Sequence, residues 1–293
     1  MSVERPTDGW RPVLLVAPFE QTSSFMSGSA EGPEAVAEEL RRVELFDPDV
    51  RQGFGRGEHL ETFHVPVASR SLSDVLRDLE QLAGRSMSEG RFVLMLGGEH
   101  TVTLGPLRAA IARWGSVGVV QLDAHGDLRD SYEGRKTSHA CAMRRALDLG
   151  VSLLGLGIRS TCQEEVDLAA WSPRIVHRTP RQLRDASCKL GSALDHLPEC
   201  VYLTVDMDVF DPAVAPGVGT PEAGGLDWHQ VTSLVDEVAM RRRIVAADVI
   251  ELAPRVERER TVRLAARVAV RALLRSRDSA SRPTSARIAD VAR

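Results

Sequence analysis

Short runs of apolar residues, unbroken by polar alternation, recur along the chain with helix-like stretches between them. This rhythm restricts the fold more than any other feature. The runs lie at 12–16, 92–96, 117–122, 153–158, 174–177, 201–205 and 244–250, and a weaker one at 62–67 contains Pro66. A strand with one wet face alternates apolar and polar residues, whereas a strand covered on both faces stays apolar, as in a parallel sheet between helical layers. Pro66 lacks the N–H a central strand would donate, so the weaker run is confined to a sheet edge. Helical patterns are predicted at 33–42, 71–88, 104–114, 140–149, 180–197, 228–242 and 259–275. In 71–88, Leu72, Val75, Leu76, Leu79 and Leu82 recur at three- and four-residue steps, which gives an amphipathic helix. The expectation is an α/β fold: one three-layer α/β/α domain over 1–275 with a mainly parallel sheet of about eight strands. The tail, 276–293, is rich in Ser, Arg and Ala and is expected to be flexible.

Composition removes several function classes. With 41 Asp+Glu against 37 Lys+Arg the formal net charge is −4, so the basic stripe of a nucleic-acid binder is not expected. No stretch is long and apolar enough to span a membrane, and the first residues lack the apolar core of a signal peptide. The four cysteines, Cys141, Cys162, Cys188 and Cys200, have no metal-type spacing and are expected to be free thiols in a cytoplasmic protein.

Ligands of open parallel sheets bind at the carboxyl ends of the strands. The run at 92–96 is followed by Gly97-Gly98-Glu99-His100, and the run at 117–122 by Asp123-Ala124-His125-Gly126-Asp127. The run at 201–205 is followed by Asp206-Met207-Asp208, and the run at 244–250 by Glu251. Alternate positions of an extended segment point the same way, which would align Asp123, His125 and Asp127, and likewise Asp206 and Asp208. His100, Asp123, His125, Asp127, Asp206 and Asp208 make an oxygen-rich set with two imidazoles, suited to Mn²⁺ or a similar divalent ion. Six ligands exceed the needs of one catalytic ion, and bridging carboxylates would hold two ions about 3.5–4 Å apart. Each piece alone is weak, because an Asp after a strand is commonly a cap or turn residue. Their coincidence on successive strand ends is what carries weight. Gly57-Glu58-His59 follows no apolar run and is taken as loop, and His64, His177, His196 and His229 are taken as surface or core residues.

These motifs, with Asp206-Met207-Asp208-Val209-Phe210-Asp211-Pro212, resemble those of the ureohydrolases, the arginase/agmatinase family. The likeness runs in order through roughly residues 12–275 and includes the loops at 19–33 and 215–226 and the segment 247–254. It implies an arginase/deacetylase-like fold and two Mn²⁺ per chain. Around one ion it implies His100, Asp123, Asp127 and Asp206, and around the other Asp123, His125, Asp206 and Asp208. It further implies that Asp127 orients the attacking hydroxide, His139 shuttles a proton and Glu251 clamps a guanidinium. Taken alone, His139 is equally a helix-start residue and Glu251 a strand-end ion-pair former.

The resemblance also bears on substrate and partners. The segment 127–145 lacks the Ser-Gly-Asn element of arginases, and its Leu128-Arg129-Asp130 and Ser138-His139-Ala140-Cys141 resemble the agmatinase form. The implied reaction is hydrolysis of agmatine to putrescine and urea, with guanidinobutyrate, guanidinopropionate and arginine as alternative substrates. A single-zinc deacetylase would not need the full six residues, and a metal-binding relative without turnover would not need His139 and Glu251. A homo-oligomer, trimer or hexamer, is implied as well. Two departures stand out: Met26-Ser27 where many relatives have Arg-Pro, and Arg255-Val256-Glu257 where an aromatic–aspartate pair is common.

Overall fold

In the computed structural model, which describes residues 10–54, 60–185 and 190–280, an eight-stranded parallel sheet forms the frame. Its strands are β1 (Pro12–Ala17), β4 (Glu61–His64), β5 (Phe92–Gly97), β6 (Val117–Leu122), β7 (Leu153–Leu156), β8 (Ile175–Arg178), β9 (Cys200–Asp206) and β10 (Arg243–Ile250). Two further short strands, β2 (Phe46–Asp47) and β3 (Gln52–Gly53), pair antiparallel outside the sheet. The main order is β4-β1-β5-β10-β9-β6-β7-β8, so the weak run carrying Pro66 does end at an edge.

Alternate strand residues face opposite layers, as the pleat requires. Leu14, Val16, Leu94, Leu96, Leu203 and Val205 pack with helices α1 (Gly32–Leu40), α8 (Trp228–Arg241) and α9 (Glu259–Ala280). Val13, Leu15, Val93, Met95 and Tyr202 pack on the other side with α2 (Leu72–Ser88), α3 (Leu104–Trp114) and α4 (Ala142–Asp148). Both faces are therefore dry, which explains the unbroken apolar runs. Helix α2 starts where Ser71 Oγ accepts the Asp74 N–H and buries Val75, Leu76, Leu79, Ala83 and Met87.

Three local expectations differ from the structure. Of the helix expected over 180–197, the described residues form α6 (Pro180–Arg184), which ends as Asp185 turns extended, and α7 (Leu190–Leu194), which stops short of Leu197. Asp185 is a poor helix former, because its short polar side chain favours caps and turns. Helix α5 (Gln163–Trp171) was not expected; it lacks an apolar stripe, its buried residue is Glu165, and Val166 and Trp171 are exposed. Glu165 stabilises its start by accepting the Cys162 N–H, at 2.9 Å. Within the segment expected to be flexible from residue 276, α9 continues to Ala280 with Ser276 and Ser279 buried and hydrogen-bonded to carbonyls one turn back, and 281–293 lie outside the described residues. Gly57-Glu58-His59 and Cys188 lie outside the described residues, while Cys141, Cys162 and Cys200 are free. No helix among the described residues is long and apolar enough to cross a membrane.

Candidate metal centre

Strand order brings the motif residues together. Strands β5, β10, β9 and β6 are contiguous in the middle of the sheet, and each parallel strand ends on the same edge. After β5 the backbone must pass Phe19 closely: a Cβ on Gly98 would lie 2.2 Å from the Phe19 carbonyl oxygen, so only glycine fits. Glu99 then leads into a 3₁₀ turn, His100–Thr103, which carries His100 inward.

The six residues converge, though by a route the alternation argument did not foresee. His100 Nδ1 lies 3.2 Å from Asp123 Oδ2, 2.8 Å from Asp127 Oδ2 and 3.7 Å from Asp206 Oδ2. His125 Nδ1 lies 2.9 Å from Asp208 Oδ2 and 3.7 Å from Asp123 Oδ1. Two groups thus have ligand atoms mutually within 4.8 Å, His100/Asp123/Asp206 and Asp123/His125/Asp208, with Asp123 common to both. The segment 123–127 is not simply extended, because Asp127 adopts a left-handed φ of 51°. Asp208 sits in a 3₁₀ turn, Met207–Val209, rather than on the strand, and its N–H donates to Asp206 Oδ1 at 2.9 Å. A non-glycine residue with positive φ is costly, and Glu251, at φ 60°, is another at the same edge.

Crowded carboxylates set the electrostatics. Burial, then Asp208, Asp123 and Glu251, push Asp206 well above the usual carboxylate range. Burial and Asp123 raise Asp127 as well. Asp123 moves the other way, since His100 and His125 outweigh its burial. Burial pulls both imidazoles down, but carboxylates win: Asp123 and Asp127 hold His100 well above its normal value, and Asp208 with Asp123 push His125 up to about 12. A cluster that draws this much positive charge suits a cation. The orphaned atom points the same way: His100 Nδ1 is buried and makes no hydrogen bond of proper geometry despite three facing carboxylates. A divalent ion among these oxygens would take that lone pair, and the donor set of carboxylates and imidazoles fits such an ion.

The remaining expected residues border the cluster. Glu251 is half-buried; its Oε1 accepts the His100 N–H at 2.6 Å, leaving Oε2 for another donor. Burial and Glu99 raise its carboxyl well above the normal range. His139 opens a 3₁₀ turn, as its helix-start character suggested, with Nδ1 3.2 Å from Thr22 Oγ1 and Nε2 3.3 Å from Ser24 Oγ. Tyr132 meets its ring edge-on.

Several supporting residues escaped sequence reasoning. Buried Glu99 accepts the N–H groups of Gln21 and Thr22, each at 2.6 Å, and so fixes the loop that meets His139. Arg159 donates to six carbonyls, those of Gly157, Asp208, Val209, Phe210, Glu222 and Ala223, and ties two rim loops together. Gln121 Nε2 donates to Asp123 Oδ2 at 2.8 Å, and Thr220 Oγ1 to Asp208 Oδ2 at 3.1 Å. Glu99 stood inside a motif and was the one with a signal. The others sit in apolar or loop context without one. The departures at 255–257 have structural work: Arg255 Nε contacts Glu31 at 2.5 Å, while Glu257 accepts the N–H groups of Arg260 and Thr261, each at 2.9 Å, at the start of α9. Met26 donates its N–H to Gly219 O at 3.2 Å, joining two rim loops.

Comparison with known proteins gives consistent matches over nearly the whole chain. The model described as the Arginase family matches residues 11–275. An N(1)-aminopropylagmatine ureohydrolase of Synechocystis sp. is 36% identical over 257 residues, covering 83% of this chain and 81% of the relative. An agmatinase of Bacillus anthracis is 29% identical over 266 residues, covering 89% and 90% respectively. Among solved structures, the agmatine ureohydrolase of Thermoplasma volcanium superposes with a TM-score of 0.80 at 28% identity, covering 94% of this chain and 92% of that one.

Proposed function

The chain belongs to the arginase family, and from that premise we propose that it holds two manganese ions and hydrolyses agmatine to putrescine and urea. At the coarser level it is a ureohydrolase, a hydrolase of guanidino C–N bonds. The observation that carries the finer reading is the pair of ligand groups, His100/Asp123/Asp206 and Asp123/His125/Asp208, sharing one carboxylate. Two ions bound there would lower the pKa of a shared water enough to provide a nucleophile near neutral pH.

The chain's own side chains supply the rest. Asp127, buried beside His100, accepts a hydrogen bond from the nucleophile and orients it toward the guanidinium carbon. Glu251 uses its free oxygen for a charge-assisted bond to a guanidinium N–H, which places the carbon over the cluster. His139, between the Thr22 and Ser24 hydroxyls, delivers a proton to the departing amine, a poor leaving group until protonated.

A second substrate, N1-aminopropylagmatine, is favoured by one observation: the relative named for it is 36% identical, against 29% for the agmatinase. Both compounds carry a cationic amine beyond an aliphatic spacer, and Phe25, 73% exposed on the loop of Thr22 and Ser24, offers that spacer an apolar contact. The test is urea release by chelator-stripped, Mn²⁺-reloaded protein from agmatine, N1-aminopropylagmatine, arginine, guanidinobutyrate and guanidinopropionate. The amines should give the highest kcat/KM, and preference for a carboxylate-bearing compound would refute the assignment. Elemental analysis should find two manganese ions per chain; one zinc would sink the binuclear reading. The same proposal includes a homo-oligomer, trimer or hexamer, checked by light scattering.

A further inference from the structure

Behind His100, inside the sheet, is a carboxylate with no strong cation beside it. Asp248, in β10, is fully buried, and its Oδ2 accepts the hydroxyls of Thr103 at 2.7 Å and Tyr202 at 2.8 Å. Its partners among the described residues are hydroxyls and the His100 imidazole rather than a lysine or arginine. Oδ1 is also buried and has no hydrogen bond. Burying a carboxylate this way is unfavourable, and an apolar side chain would serve a central strand better.

Donor and acceptor accounting leads from Asp248 to the metal cluster. Nδ1 of His100 faces the oxygens of Asp123, Asp127 and Asp206, so in the neutral ring the proton sits on Nε2. Nε2 lies 3.1 Å from Thr204 Oγ1, which then serves as acceptor and must place its own proton elsewhere. Thr204 is paired with Asp248 across the β9–β10 ladder, so the two side chains share one face of the sheet. The Thr204 hydroxyl, a donor needing an acceptor, reaches the Asp248 carboxylate, whose buried Oδ1 has no other donor.

We propose that Asp248 is a positioning residue for cation binding, acting on His100 through the Thr204 hydroxyl. The relay His100–Thr204–Asp248 fixes the ring tautomer, aims the Nδ1 lone pair into the carboxylate cluster and increases its basicity, as a carboxylate–histidine–metal arrangement does with one hydroxyl interposed. Tyr202 and Thr103 hold the far side of the carboxylate still. The inference rests on the divalent-metal reading given above.

The test is Mn²⁺ binding by the chelator-stripped full chain, measured by equilibrium dialysis for the wild type, Thr204→Val, Asp248→Asn and Tyr202→Phe. Thr204→Val is isosteric and leaves the bonds of Asp248 to Thr103 and Tyr202 in place, so it cuts only the link to His100. Tyr202→Phe keeps that link. Thr204→Val and Asp248→Asn should weaken one of two Mn²⁺ ions by about 10- to 100-fold and spare the other. Tyr202→Phe should bind both as the wild type does. Wild-type affinity for both ions in Thr204→Val, with an unchanged urea midpoint, would overturn the relay and leave the metal reading standing. Equal weakening of both ions in Thr204→Val would also overturn it. A wild type that binds no divalent ion would instead bring down the metal reading beneath it.

Discussion

Replacing Glu99 should separate support of the N-terminal loop from the chemistry of the metal cluster. Its Oε2 accepts two backbone N–H groups at 2.6 Å, from Gln21 and Thr22, and its Oε1 accepts the Thr101 hydroxyl at 2.6 Å. Thr22 in turn accepts the His139 N–H at 2.9 Å. In Glu99→Gln the side-chain carbonyl can still meet both N–H groups while the amide turns to Thr101, so only charge assistance is lost. A hydrogen bond to a charged group contributes about 1.5–3 kcal/mol and a neutral one about 0.5–1.5, so two bonds lose about 2 kcal/mol. Glu99→Ala strands two buried donors at about 1–3 kcal/mol each and leaves a cavity, for about 4 kcal/mol or more. Urea denaturation at fixed Mn²⁺ measures this as a lower midpoint at unchanged slope. A second readout has the opposite sign. After burial, the Glu99 charge is what most raises Glu251, so its removal should let Glu251 ionise at lower pH. The acidic limb of kcat/KM should therefore move down in Glu99→Gln, even as kcat falls with the loosened His139. Stability within about 0.5 kcal/mol of wild type, the range of an ordinary surface change, would refute the reasoning. So would an acidic limb that moves up.

Other perturbations address the cluster and the frame. Asp123→Asn and Asp206→Asn should each abolish both bound manganese and urea release; full activity in either after stripping and reconstitution would contradict the binuclear reading. The raised His125 value, about 12 against about 6.5 unfolded, gives a signed pH dependence. Its stabilisation of the metal-free protein is complete below about pH 6.5 and is lost as pH rises toward the folded value, so Tm should fall between about pH 7 and 10. His125→Asn should flatten that fall, as thermal melts of stripped protein will show. Manganese binding should release protons, because a ligating imidazole must be neutral, and calorimetry in buffers of different ionisation enthalpy measures the number. Arg271, 1% exposed, pairs with Asp47, Asp49 and Asp236. Arg271→Ala should cost about 3–5 kcal/mol in urea unfolding, because it leaves the Asp47 carboxylate buried without its partner.

Most of the frame was legible because its physical cause is written locally. A strand buried on both faces has to be apolar throughout, so the runs at 117–122 and 244–250 declared themselves. The residues of the candidate cluster were legible because each motif directly follows such a run. What stayed hidden depends on distant parts of the chain. Strand order, which makes β5, β10, β9 and β6 neighbours, has no local signature. Asp248 sits inside an apolar run as a single polar letter, and only the neighbouring strand gives it a partner. Arg159 resembles any loop arginine until its carbonyls converge. The left-handed φ of Asp127 and Glu251 is imposed by the surroundings, since neither residue type demands it. Helix α5 was missed because its cap, rather than an apolar face, defines it.

The position of β10 also governs how the molecule can be made. It is the last strand among the described residues, yet it lies between β5 and β9 near the middle of the sheet. Without it the strands would fall into two separate groups, β4-β1-β5 and β9-β6-β7-β8, each with an open inner edge. Joining them requires contacts between residues such as Val93 and Ala246, far apart in sequence, and such closure slows folding. A nascent chain that stops before Arg243 would therefore present two unsatisfied edges, with His100 after β5 in one group and all four cluster aspartates at or after the ends of β6 and β9 in the other. The strand that joins the two halves of the sheet is therefore also the one that brings His100 beside the aspartates of the candidate cluster.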